Sequence, residues 1–182
     1  MSDRYEIRFS GSGGQGLILA GVIFAEAATI YDKINAVQSQ SYGPEARGGA
    51  SKSEVILSDD VIDFPKALGI DLQLSLTQES CSKYYKDIKP NGILLVDEDF
   101  VRDIPKGDFK VIRLPIIRTA SEEIGKAFVA NIVATGAITA ITGKVKIESV
   151  EKAVLSRVPK GTEEMNKKAL RAGYDMAKAR MD

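Results

Sequence analysis

The chain has 182 residues, with 25 basic and 25 acidic side chains and therefore no formal net charge. This length fits one domain, which buries about 70% of its unfolded surface, and the neutral balance gives no indication of binding to nucleic acid or an anionic membrane. There is one cysteine, Cys81, and no histidine. These counts exclude an internal disulfide, a cysteine-only zinc or iron–sulfur site built from this chain alone, and any catalytic pair or metal site that uses imidazole.

The start of the chain is polar and lacks the apolar core of a signal peptide. The longest uncharged apolar run ends at Glu26, and none approaches the length that spans a membrane. We therefore expect a cytoplasmic protein whose partners include neither nucleic acid nor a membrane.

A glycine-dense segment lies between the first predicted strand and the first predicted helix. Tyr5 to Phe9 alternates apolar and charged residues, which predicts a strand, and Leu17 to Ile30 is nearly all apolar, which predicts a buried helix. Glycines spaced G-x-G-x-x-G allow a tight turn and let backbone N–H groups at a helix start approach a pyrophosphate. A turn with no ligand is the alternative. The predicted phosphate loop consists of Gly11, Ser12, Gly13, Gly14, Gln15 and Gly16.

The second predicted strand weakens the case for NAD. Ile34 to Gln38 would close a β-α-β unit with the first strand, but an NAD site also needs an acid at the end of that second strand to bind the ribose hydroxyls. The residues there are Gln38 and Gln40, and Asp32 lies at the opposite end. A pyrophosphate ligand without the ribose clamp therefore fits better.

The middle of the chain alternates strands with helices. A third strand within Ala50 to Ser58 leads into Val61 to Phe64, which predicts an antiparallel hairpin before Pro65. Further strands are predicted at 70–76, 93–96 and 110–114, with a helix at 78–88. This order predicts an α/β fold: a single Rossmann-like domain over residues 1–182 with a doubly wound, mostly parallel sheet.

The last third of the chain is predicted to be helical. Thr119 and Glu122 have the spacing of a capping box, which predicts the start of an apolar helix that runs towards Gly143. A second helix is predicted at 147–158, ended by Pro159. The last starts near Thr162, with acids in its first turn and bases near its end, the order that the helix dipole favours.

Few side chains in this sequence are suited to catalysis. Paired acids at 59–60, 97–99 and 122–123 fall at turns or helix starts, where carboxylates are ordinarily solvated or capping. Cys81 falls early in a helix but has no base partner, so we interpret it as a small helix residue. Asn131, inside an apolar helix, either bonds a neighbouring backbone or faces a ligand or partner. We predict no catalytic residue and no metal ligand.

A polar segment follows the second strand and combines turn residues with an aromatic residue, an acid and a base. Loops hold functional groups disproportionately, although a Gly-Pro turn with a local ion pair is the simpler explanation. Its candidate functional residues, placed at an interface near an active site together with Asn131, are Tyr42, Gly43, Pro44, Glu45, Arg47, Gly48 and Gly49.

Taken together, the 11–16 and 41–49 motifs and the segment from Asn131 to Gly136 resemble the gamma subunit of the 2-oxoacid:ferredoxin oxidoreductases. The resemblance covers nearly the whole chain, including the predicted Ser58 to Pro65 hairpin and the Pro159 to Glu164 segment. Within the family, residues 36–51 most resemble the 2-oxoglutarate enzymes. The pyruvate, 2-oxoisovalerate and indolepyruvate enzymes share much of the pattern.

The resemblance implies a complex that decarboxylates a 2-oxoacid, joins the acyl group to coenzyme A and passes two electrons to ferredoxin. It implies that thiamine diphosphate, Mg²⁺ and iron–sulfur clusters belong to alpha, beta and delta (ferredoxin-like) partner subunits. This chain would then supply the coenzyme A loop and subunit interfaces, and would be inactive alone. A free-standing nucleotide-dependent oxidoreductase and a pure docking module are the two rival hypotheses.

Overall fold

The computed structural model describes residues 3–41 and 49–182. They form a six-stranded mixed sheet with strand order β2-β3-β1-β4-β5-β6. The strands are β1 (Tyr5–Ser12), β2 (Asn35–Gln40), β3 (Ala50–Ser58), β4 (Ile70–Ser75), β5 (Ile88–Asp97) and β6 (Phe109–Leu114). The helices are α1 (Leu17–Glu26), α2 (Gln78–Tyr84), α3 (Ile116–Arg118), α4 (Ala130–Thr142), α5 (Ile147–Leu155) and α6 (Glu163–Met181).

The predicted doubly wound α/β fold is confirmed. Strands β1, β4, β5 and β6 run parallel to one another. Ile7 and Phe9 of β1 face the large core that α1, α4, α5 and α6 cover. Arg8 faces the other side, where its guanidinium lies over the ring of Tyr84 in α2, because successive side chains of a strand alternate between faces. The two faces of the sheet are thus covered by different helices.

Two predicted pairings are wrong. The predicted hairpin strand at Val61–Phe64 is not a strand, because residues 59–69 form an irregular loop. The antiparallel pairs come instead from β3, which pairs with β1 on one side and with β2 on the other. β1 and β2 therefore run parallel to each other, as expected for strands joined by a helix, but they do not pair, because β3 lies between them.

The helices differ from prediction mainly at their ends. The predicted capping box at Thr119 is wrong, because its N–H already bonds to Pro115 O at 2.9 Å and it lies in a π-helical extension of α3 over Thr119–Ile124. Gly125, at φ 85°, ends that extension. The single helix predicted between Thr119 and Gly143 is therefore two helices, and the second is α4. The first and last helices were predicted well, α6 with Glu163 and Glu164 in its first turn. No helix within the described ranges is long and apolar enough to cross a membrane.

Candidate functional site: the loop after β1

The glycine loop connects β1 directly to α1. β1 ends at Ser12 and α1 begins at Leu17. Gly14 and Gly16 have φ angles of 86° and 73°, a left-handed conformation that side-chain-bearing residues rarely adopt. The spacing of these two glycines is therefore explained by the turn itself, and the question is what the turn presents to solvent.

Gln15 closes the loop from inside. Its side-chain Oε1 accepts a hydrogen bond from Ser12 N at 2.8 Å. A Cβ at Gly11 would lie 2.2 Å from that same oxygen, so Gly11 makes room for it. The Gln15 side chain therefore has a structural role, which is to hold the loop in this conformation.

Asn131 attaches the loop to α4. Its Nδ2 donates to Gly16 O at 3.1 Å, across 115 positions of sequence, and its Oδ1 accepts from Ile132 N at 3.0 Å. A Cβ at Gly16 would lie 2.5 Å from the Asn131 amide nitrogen, so the close approach requires glycine. The sequence left open whether Asn131 bonds a backbone or faces a ligand, and the structure shows the backbone bond, made to the candidate site.

A cleft of about 500 Å³ opens beside the loop. The start of α1 on its wall has no side-chain cap and no acid in the first turn. The N–H groups of a first helical turn have no intrahelical acceptors and carry the positive end of the helix dipole, so this end favours an anion. The cleft is lined by Ser12, Gly14, Gly16, Leu17, Ile18, Leu19, Val22, Ser51 and Arg157.

Two cleft residues were not found by sequence reasoning. Arg157 follows α5 and pairs with Glu26 while its side chain stays 43% exposed, and Ser51 comes from β3. Both lie far from the glycines in sequence, and neither belongs to a local motif. Together with the apolar residues of α1, they make a cleft that suits an elongated ligand with an anionic part and an apolar part.

The topology of the sheet indicates the same location. β1 and β4 are adjacent and parallel, and Leu76 N donates to Ser10 O at 3.0 Å where the two strands end. From there the chain enters α1 on one face of the sheet and α2 on the other. In open α/β sheets, ligands bind outside the carboxyl ends of the strands at such a point.

The predicted interface residues can be followed only in part. Gly49 is half-buried and leads into β3. Tyr42, Gly43, Pro44, Glu45, Arg47 and Gly48 lie outside the described residues. Their assignment to an interface stays a prediction.

Among the paired acids, Asp97 has a structural role. Asp97 is buried, and its carboxylate accepts hydrogen bonds from the N–H groups of Asp99, Phe100 and Ile117. Burial raises the pKa of Asp97, and it also raises the pKa of the Cys81 thiol. Residues 3–41 and 49–182 contain no group of three His, Cys, Asp or Glu side chains that could hold a metal ion.

Comparison with known proteins identifies the family. Residues 6–176 match the family model described as pyruvate ferredoxin/flavodoxin oxidoreductase. The 2-oxoglutarate synthase subunit KorC of Methanocaldococcus jannaschii is 56% identical over 96% of this chain and 95% of its own length. The crystal structure of a keto/oxoacid ferredoxin oxidoreductase gamma subunit from Geobacter sulfurreducens matches with a TM-score of 0.91 and 58% identity, over 97% of this chain and 98% of that one.

A more distant structure shares the fold within a larger polypeptide. The 2-oxoglutarate:ferredoxin oxidoreductase from Magnetococcus marinus matches with a TM-score of 0.84 at 19% identity, over 97% of this chain and 31% of that one. At this identity the likeness shows the fold alone. The family match, the two near relatives and the shared fold agree, and this chain belongs to the pyruvate ferredoxin/flavodoxin oxidoreductase family as a gamma-type subunit of a 2-oxoacid:ferredoxin oxidoreductase.

Proposed function

We propose that this chain is the gamma subunit of a 2-oxoglutarate:ferredoxin oxidoreductase and that its glycine loop binds the phosphates of coenzyme A. In this reaction the bond between C1 and C2 of 2-oxoglutarate breaks and CO₂ leaves. The remaining acyl group is joined to the thiol of coenzyme A as succinyl-CoA, and two electrons reduce ferredoxin.

The cleft beside the uncapped start of α1 is the observation that carries the coenzyme A proposal. Its backbone N–H groups and Arg157 can bind phosphate oxygens, and its Leu17, Ile18, Leu19 and Val22 wall can pack against an apolar arm. The related Magnetococcus marinus structure is described with coenzyme A and succinyl-CoA bound. Coenzyme A has both kinds of part, a set of phosphates and a long pantetheine arm.

The choice of 2-oxoglutarate rests on the relatives. Four relatives between 40% and 56% identical are named 2-oxoglutarate synthase subunit KorC. The pyruvate synthase and ketoisovalerate oxidoreductase relatives are 28% to 30% identical. A pyruvate, 2-oxoisovalerate or indolepyruvate complex is the alternative, in which the role of this chain would be the same.

The oxidative chemistry belongs to partners in this proposal. Thiamine diphosphate, Mg²⁺ and the iron–sulfur clusters reside on the alpha, beta and delta subunits, and ferredoxin takes the electrons. The donor set of this chain agrees, because a single buried cysteine without histidine cannot ligate a cluster. Coenzyme A and ferredoxin are cytoplasmic reactants, so we expect the complex in the cytoplasm.

Replacing Arg157, the basic side chain that lines the cleft, tests the site. In the reconstituted complex, we expect Arg157→Ala to raise the KM for coenzyme A about tenfold, the loss of one charge-assisted hydrogen bond, with kcat and the KM for 2-oxoglutarate unchanged. Arg171→Ala is the matched control. Its side chain is also 43% exposed and also paired, with Glu151, but it lies outside the cleft.

An unchanged KM for coenzyme A in Arg157→Ala, or an equal rise in Arg171→Ala, would refute the assignment of the cleft. Rates of the same complex with 2-oxoglutarate, pyruvate and 2-oxoisovalerate test the substrate separately. Calorimetry with NAD and coenzyme A tests the free-standing oxidoreductase. Two observations count against that rival: β2 ends in Gln40 rather than an acid, and β3 separates β2 from β1.

A further inference from the structure

The loop between β3 and β4, residues 59–69, holds exposed apolar side chains. Val61 is 77% exposed, Leu68 is 73% exposed and Phe64 is 49% exposed. This is the segment whose apolar pattern resembled a strand in the sequence. Large apolar side chains grouped in one exposed segment are typical of a surface that another protein covers.

Two charged residues at the start of the chain, Glu6 in β1 and Arg4 just before it, bond to the backbone of the 59–69 loop. The side chain of Glu6, only 2% exposed, accepts hydrogen bonds from the N–H groups of Leu68 and Gly69, each at 2.8 Å. Arg4 donates from Nη1 to Phe64 O at 2.8 Å and from Nη2 to Lys66 O. The loop is therefore fixed while its apolar side chains face solvent, so little conformational entropy remains to be lost when a partner binds.

The charges of the loop indicate what kind of partner fits. Asp59, Asp60 and Asp63 take part in no ion pair among the described residues, and Lys66 is the single base in the loop. Three acids against one base leave a net charge of −2. A complementary partner surface is apolar at its centre and carries lysine or arginine at its rim.

We propose that the 59–69 loop is a docking surface for a different subunit of the complex, one that presents an apolar pocket rimmed by basic side chains. A second copy of this chain fits poorly, because a twofold axis through the loop would bring the same carboxylates against each other. The proposal rests on the gamma-subunit role but not on the binding of coenzyme A.

The test uses the chain co-expressed with the other subunits and measures assembly by sedimentation and by the affinity of the purified chain for the complex that lacks it. We expect the double variant Val61→Ser/Leu68→Ser to weaken assembly at least tenfold while the urea midpoint of the isolated chain stays unchanged. Phe100→Ser is the control, because Phe100 is 56% exposed and lies elsewhere, after β5. Asp63→Lys should weaken assembly most at low salt.

Assembly at the original affinity in the double variant would overturn the proposal, as would an equal loss in Phe100→Ser. A homodimer of the chain that the double variant abolishes would also overturn it, since the occupant would then be a second copy. The variant complex that does form should have an unchanged KM for coenzyme A. A raised KM would mean that the substitutions also disturb the cleft, and would count against a role of the loop in docking alone.

Discussion

Glycine occurs at the crossing of α4 and α6 and in the loop after β1, and the two regions use it differently. At the crossing, a Cβ on Gly173 would lie 1.8 Å from Val133 O, and one on Gly136 would lie 2.0 Å from Leu170 O. In the loop, a Cβ on Gly14 would meet nothing within 4 Å, although its φ angle is 86°. One region has no room for a side chain, and the other has room but an unusual backbone.

The difference separates stability from binding. At the crossing, the missing side chains are replaced by backbone of the facing helix, so these glycines contribute packing. In the loop, the space is left open at the wall of a cleft, so Gly14 contributes a backbone conformation and, under the coenzyme A proposal, would leave room for the ligand. Substitutions at the crossing should therefore lower mainly the free energy of unfolding, whereas substitutions in the loop should raise mainly the KM for the ligand.

The largest effect is expected at the crossing. Gly173→Ala forces two helix backbones apart, because the clashing atom is a main-chain carbonyl that no rotamer change can move. We expect a loss of about 3 kcal/mol in the free energy of unfolding, the upper range for overpacking, measured by urea denaturation of the chain. Ala172, the preceding residue of the same helix, provides the control. Ala172→Gly should lower the free energy of unfolding by about 1 kcal/mol through helix propensity alone. A loss at Gly173 no larger than in that control would refute the steric account.

An intermediate effect is expected at Gly16, where both causes act. Gly16→Ala combines a left-handed backbone, costing roughly 1–2 kcal/mol, with the lost Asn131 hydrogen bond, worth about 1 kcal/mol. Asn131→Ala alone loses only that bond. In the double variant the bond cannot be lost twice, so we expect the two losses in unfolding free energy to sum to more than the measured total. Strict additivity would contradict the contact.

The smallest effect on stability is expected at Gly14. Gly14→Ala should cost about 1 kcal/mol through its backbone alone, and Gly14→Asn should cost less, because asparagine tolerates the left-handed region. Both should raise the KM for coenzyme A in the complete complex, since any side chain here enters the open cleft. A Gly14→Asn complex with the original KM would show that the loop needs only its turn, as the docking-module hypothesis holds.

The parts of the fold that sequence reasoning predicted are those that local patterns determine. The glycine spacing predicted the turn after β1, and the acids at Glu163 and Glu164 predicted the start of α6, because each signal acts within a few residues. Strand order is not local. The apolar run within β3 predicts a strand but does not predict that the strand lies between β1 and β2.

Two errors and one omission share a physical cause. Val61–Phe64 has a strand pattern but is held as a loop by Arg4 and Glu6 from another part of the chain. The spacing of Thr119 and Glu122 is that of a cap, but the helix had already begun at Ile116. Arg157 reaches the cleft only because α5 packs beside α1. In each case tertiary contacts decided what the local pattern could not.

The hydrogen bond from Asn131 to Gly16 makes the cleft dependent on a distant part of the molecule. The wall that would bind phosphate is held by α4, and α4 is positioned by its contact with α6. A substitution that disturbs the packing of α4 against α6 would then lower ligand affinity without changing a residue that contacts the ligand. A loss of ligand affinity measured in such a variant would therefore have its origin in helix packing.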